Sequence, residues 1–184
     1  MIPVLEHIII ICEGKSEDSY IKMLNPILAE IGYVFIPKIA NGFFGLVNLY
    51  KKIRKDNKKS RIVIWCDGDI VKRKNNTPKG LENAFINIWN FEDHLVLHLN
   101  KENVLEWQEI CKELGHFNVP INSKEYHEHV RQFFPNYKKG VMPSEIILNK
   151  ETIYRLFDNN SDIDIRFRSG IATLLSDIFK NTNL

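Results

Sequence analysis

Cysteine is scarce in this chain: Cys12, Cys66 and Cys111 are its three, and no two of them form a CxxC pair. That usage excludes a disulfide-stapled scaffold and points to a reducing cytoplasm. Long apolar runs are lacking too. The longest, Ile8 to Cys12, is far too short to cross a bilayer, and Glu6 stands where a signal peptide would carry Lys or Arg. The expectation is a cytoplasmic protein with no membrane partner. Repeats, low-complexity tracts and Gly/Ser linkers are also absent, which argues for one continuous unit. What is present suits that reading. The 184 residues are 44% hydrophobic and 26% charged, enough to bury a core without metal or disulfide staples.

The net charge of +2 conceals an asymmetry. Between Lys51 and Lys79, eleven Lys and Arg residues face three Asp, a local +8 that leaves −6 for the rest of the chain. A basic segment interrupted by two close acids suits a phosphate-rich ligand, although a solvated helix face has the same composition. Lys72, Arg73 and Lys74 are the candidate nucleic-acid contacts within it, joined by Lys15 from an earlier loop.

The first half alternates strand and helix. Val4 to Cys12 ends in a solid β-branched run, as in a strand buried on both faces of a parallel sheet. Gly14 breaks it, Ser16 offers an N-cap, and a helix is predicted from Glu17 to Ile31. Tyr33 to Ile39 reads as a second strand, Phe44 to Asp56 as a helix, Arg61 to Cys66 as a third strand and Ala84 to Trp89 as a fourth. Beyond Asn90, helices are predicted over Phe91–Leu99, Asn103–Leu114, Ser123–Phe134, Ser144–Asp158 and Ile165–Lys180, with Pro120, Pro135 and Pro143 as stops. The fold class is therefore α/β: an open, mostly parallel sheet flanked by helices (residues 1–100) with a helical C-terminal half (101–184) packed on it.

Ligands of open parallel sheets bind outside the carboxyl ends of the strands. Here the first strand ends in Glu13-Gly14 and the third in Asp67-Gly68-Asp69, 54 residues later. Parallel strands carry both ends to one edge, where three carboxylates converge. Such acids repel one another, and a divalent cation relieves the repulsion; hard oxygen donors select Mg²⁺ or Mn²⁺. Taken singly, Asp67-Gly68-Asp69 is as well explained by a turn.

The combination resembles the Toprim domain, the Mg²⁺-binding α/β module of primases, topoisomerases, old-family nucleases and small maturase ribonucleases. Its Glu-Gly matches Glu13-Gly14 and its DxD matches Asp67-Gly68-Asp69. Residues 12–20, CEGKSEDSY, look like the CEGxTExxY opening of RloB-like proteins, and Asn90 to His98 is similar to their FExWxLLH segment, with His94 in the place of Trp. Phe134 to Gly140 is similar to their Tyr-x-Lys stretch. The resemblance spans residues 4 to 140. It implies a Toprim-like fold, a metal-dependent nuclease and a prokaryotic defence or restriction setting, with a partner ATPase and homo-oligomers as options.

Two divalent ions can activate a water and steady the leaving oxygen of a phosphodiester. Glu13, Asp67 and Asp69 are the candidate ligands and catalytic acids. Glu17 could complete the shell or serve the helix dipole, and Glu92 could reach the same edge or stay at a helix start. His94 and His98 are one helical turn apart; His98 is the candidate proton carrier or phosphate contact and His94 the structural one. Lys139 is a candidate for stabilising a pentavalent phosphate. His116, His127 and His129 carry no pattern and read as surface. Two rival readings stand beside the nuclease. Asp67 to Val71 fits the D-x-D-x-[TV] motif of haloacid-dehalogenase-like phosphatases, with Asp67 as nucleophile, but leaves Glu13 without a role. A non-catalytic module that holds nucleic acid or a partner would carry the same acids.

Overall fold

The computed structural model describes residues 5–40, 42–67, 85–88, 90–115 and 123–182. Four strands form one open sheet: β1 (Glu6–Cys12), β2 (Tyr33–Ile39), β3 (Arg61–Asp67) and the short β4 (Phe85–Ile88), in the order β2-β1-β3-β4. Every pairing is parallel. Register sets Ile10 beside Pro37 on one side and beside Val63 on the other. The Ile run of β1 is buried because it lies second in the sheet, covered on both faces. Ile8, Ile10 and Ile11 are fully shielded, each worth about 1.5–3 kcal/mol relative to exposure.

Alternation divides the core between the faces. Ile9, Ile11, Ile62, Ile64 and Cys66 pack with Leu46 under α2 (Gly42–Asp56). Ile8, Ile10, Cys12, Val63 and Trp65 face α1 (Lys15–Glu30) and the C-terminal helices, in one cluster that runs on to Phe179. Strand β2 is the edge. That position tolerates Pro37, whose missing N–H would break a ladder in a central strand. Asn25 of α1 covers part of this edge, since its amide donates to the Phe35 carbonyl and accepts the Phe35 N–H, both at 2.9 Å.

The helices that follow are α3 (Phe91–Val96), α4 (Lys101–Glu113), α5 (Ser123–Phe133), α6 (Lys150–Asp162) and α7 (Gly170–Asn181). The α/β class and the helical second half agree with the sequence reading; the ends of elements differ where capping decides. Helix α1 starts two residues before Glu17, with Gly14 as its N-cap. Ser16 is therefore the second helical residue and not the cap. Pro26 sits inside α1 on the exposed face, so the carbonyl of Lys22 that it leaves unpaired is open to water. Helix α6 begins at Lys150 and not at Ser144, because Asn149 and Thr152 close a reciprocal cap there at 2.9 and 3.0 Å. The predicted Ile165–Lys180 helix is split: a 3₁₀ turn at Ile165–Phe167 precedes α7, which Ser169 caps by accepting the Ala172 N–H. No helix among the described residues is long and apolar enough to cross a membrane.

Candidate functional site

From β1 the chain crosses over α1 to β2 on one side, then returns over α2 to β3 on the other. The direction of winding thus reverses between β1 and β3, and the crevice at their carboxyl ends is the topological switch point of the sheet. Glu13 follows β1 directly and Asp67 is the last residue of β3, with Cys12 paired to Trp65 just below. Both predicted acids therefore stand at the end of the sheet where such sheets bind ligands.

Two further carboxylates join them. Glu17, in the first turn of α1, is only 6% exposed. Burial raises its carboxyl from the ordinary 4.5 to about 7, with Glu13 and Glu92 adding to the rise and the backbone N–H groups of Glu17 and Gly14 opposing it. The bond from Gly14 is the reach-back half of a capping box, so Glu17 serves the helix end while it faces the other acids. Glu92 opens α3 and is also buried. Burial alone would raise its carboxyl, but His127, Tyr137 and its own backbone N–H hold it below the usual range. The Tyr137 hydroxyl donates a short hydrogen bond to Glu92 Oε1. Burial and the negative charges of Glu92, Asp67 and Glu17 push that phenol upward, which sets it among three acids at once.

His127 corrects the sequence reading. It is half-buried, its Nε2 stands 3.7 Å from Glu92 Oε1, and its ring centroid is 5.8 Å from that of Tyr137. Its neighbour Tyr126 explains how it gets there. Asp93, next to Glu92, accepts hydrogen bonds from Trp107 Nε1 at 2.8 Å and the Tyr126 hydroxyl at 3.3 Å. These bonds tie α4 and α5 to α3 and so deliver His127 to Glu92. The sequence held one usable signal, the pairing of Glu92 with Asp93 at a helix start, but not the partners.

The other predicted residues fall elsewhere. His98 is buried, and its Nε2 lies 3.0 Å from the Tyr20 hydroxyl. Burial pushes it down to about 3. His94 is fully buried, with Nδ1 at 2.9 Å from Ser169 Oγ. The rings of Tyr20, Trp65, Phe91, His94 and His98 pack edge to face or tilted in one cluster under the sheet. His98 thus sits in the core beside α6, where Thr152 and Arg155 also act on it. Lys15 and Lys139 are exposed. Asp69, Lys72, Arg73, Lys74 and His116 lie outside the described residues.

Among the described residues, no three His, Cys, Asp or Glu groups already stand close enough to hold a metal ion. The chemistry of the donors nevertheless fits a hard divalent cation: all are carboxylate oxygens, and Glu17 is disfavoured as an anion by burial and by its acidic neighbours. No family model, no curated protein and no solved structure matches this chain.

Proposed function

We propose that this protein is a Mg²⁺- or Mn²⁺-dependent nuclease of Toprim-like architecture. The observation that carries the reading is the gathering of Glu13, Glu17, Asp67 and Glu92 at the switch point of an all-parallel sheet. Glu13, Glu17 and Asp67, with Asp69 two residues further along the sequence, would hold the metal; Glu92, fixed by Tyr137 and His127, borders them. A bound divalent ion supplies positive charge against the phosphoryl oxygens and acidifies a water. The protein's own part is to set these oxygens at one edge and to favour the Glu92 carboxylate through His127 and Tyr137. The setting we propose is cytoplasmic prokaryotic defence, with RNA or DNA as substrate and a partner ATPase as a further component.

The test is a cleavage screen on tRNA, single-stranded RNA, single-stranded DNA and duplex DNA, with Mg²⁺, with Mn²⁺ and with chelator. Wild type should cut at least one substrate with metal only. Glu13→Gln and Asp67→Asn should abolish cutting while circular dichroism stays native and Tm does not fall, since each change removes a metal ligand and relieves repulsion among the acids. Equal cleavage by the double variant refutes the reading. A trapped phosphoenzyme on Asp67 would instead establish the phosphatase.

A further inference from the structure

The turn that follows α5 is held to the acid site by two unrelated bonds. At one end Tyr137 donates to Glu92. At the other, the Gly140 N–H donates to Ser16 Oγ at 3.0 Å, across 124 residues of sequence. Within the turn, Lys138 and Val141 form an isolated bridge, and Gly140 adopts φ +85°, which a side chain would strain. The geometry brings three lysines together. A Cβ placed on Gly140 would come within 4.0 Å of the Lys15 Cβ, so Lys15 packs beside the turn whose preceding residues are Lys138 and Lys139. All three are exposed. Among the described residues, no ion pair engages any of them.

Three ammonium groups without an ion pair among the described residues thus stand beside a group of carboxylates. Charge of this pattern suits a polyanion with regularly spaced phosphates: one phosphate near the acids, the next on the lysines. A lone phosphomonoester would need only one of the two. We infer that the Tyr137–Gly140 turn is a substrate-backbone clamp, in which Lys138, Lys139 and Lys15 neutralise the nucleic-acid phosphate adjacent to the one at the acid site, with Ser16 as the positioning residue that holds the turn in place. The inference rests on the nuclease reading for the identity of the polyanion. It assigns Lys139 to the backbone and not to the reacting phosphate, and it explains why Ser16, which is not the N-cap, has a hydroxyl partner so far along the chain.

The test uses the full chain. Binding of a fluorescent single-stranded RNA, and of DNA of the same sequence, is measured without divalent metal as a function of salt. Replacing Lys15, Lys138 and Lys139 with Ala should lower the log–log salt slope by roughly 0.7–0.9 for each phosphate no longer neutralised. A control that removes Lys101, Lys150 and Lys180 should leave the slope within about half of that change. Ser16→Ala keeps every charge and should raise KM by about two- to tenfold, the worth of one net hydrogen bond, with kcat little changed; Ser16→Thr should restore KM. The same slope in the triple variant and in its control overturns the clamp while leaving cleavage, and so the nuclease reading, intact. A fall in kcat alone for Lys139→Ala would overturn it as well, by returning that lysine to the reacting phosphate. Binding without cleavage by wild type would sink the nuclease reading, and the salt slopes would still decide the clamp. Absence of any nucleic-acid binding by wild type both without divalent metal and with Mg²⁺ or Mn²⁺ overturns both.

Discussion

Replacing Glu17 with Gln should stabilise the metal-free protein, and only above pH 5. Folding buries this carboxyl and raises it from 4.5 to about 7. Between those values the folded state keeps a proton that the unfolded chain has released, so stability falls as pH rises through the window. Above about pH 7 the full cost of holding the anion is present, about 3 kcal/mol at 1.36 kcal/mol per pH unit. Below pH 4.5 it is absent. Glutamine is nearly isosteric and still accepts the Gly14 N–H, so the cap survives. For a chain of this size about 3 kcal/mol corresponds to roughly 6–12 °C in Tm. The assay is differential scanning fluorimetry of both proteins in chelator at pH 4.5, 6 and 8. The Gln variant should gain several degrees at pH 8, about half of that at pH 6 and nothing at pH 4.5. Adding Mn²⁺ should raise the wild-type Tm more than that of the variant, since the cation and the substitution relieve the same repulsion. An equal shift at every pH, or a lower Tm at pH 8, would refute the argument, because packing alone does not titrate.

Two further outcomes concern the scaffold. His98 is held near 3 by burial, so below about 6.5 the unfolded chain takes a proton that the fold refuses, and stability falls with acid at about 1.4 kcal/mol per pH unit; His98→Leu should flatten this slope in urea titrations at pH 7 and 5, while losing about 1–3 kcal/mol at pH 7 from the unpaired Tyr20 hydroxyl, and an unchanged slope would show that His98 is not the group. Asp93→Ala strands the buried Trp107 N–H and Tyr126 hydroxyl, at roughly 1–3 kcal/mol each; denaturant midpoints should reveal the loss, and a variant as stable as wild type would remove Asp93 as the tie between α3, α4 and α5.

How far the fold could be read from the chain follows from where its information is local. Strands buried on both faces have no polar alternation to confuse them, so Ile8–Cys12 and Arg61–Cys66 declare themselves, and both are strands within a residue or two. Pro37 even marks β2 as an edge, a signal that the alternation alone does not use. Helix starts were harder, because several residues near each one can cap. Ser16 has the better capping side chain, yet Gly14 is the cap, since the chain turns out of β1 there and Ser16 is engaged by Gly140. The choice between Ser144 and Asn149 at α6 was likewise decided by a reciprocal bond that only one of them could form. At Ser169 the cap interrupts an apolar periodicity that runs on either side of it.

The acid site was legible to the extent that topology places it. Strand ends are local, and parallel pairing makes them neighbours, so Glu13 and Asp67 stand at the same end of the sheet. The histidines show the opposite case. His94 and His98 have metal-pair spacing, but α3 ends at Val96 and the turn after it carries His98 into the same buried cluster, where their neighbours are Tyr20, Trp65 and Ser169. His127 and His129 share one helix and no visible pattern, yet only His127 reaches Glu92. What separates them is the rotation of α5, set by Tyr126 on Asp93, and that bond joins residues 33 apart. A residue's chemistry is thus read from the chain when its own element aims it, and is lost when another element must. Glu92 shows both: its place at the start of α3 follows from sequence, whereas its lowered carboxyl depends on His127 and Tyr137, 35 and 45 residues on. The second half of the chain therefore sets the electrostatics of a site whose acids come mainly from the first, and the Tyr137–Gly140 turn is the piece that joins them.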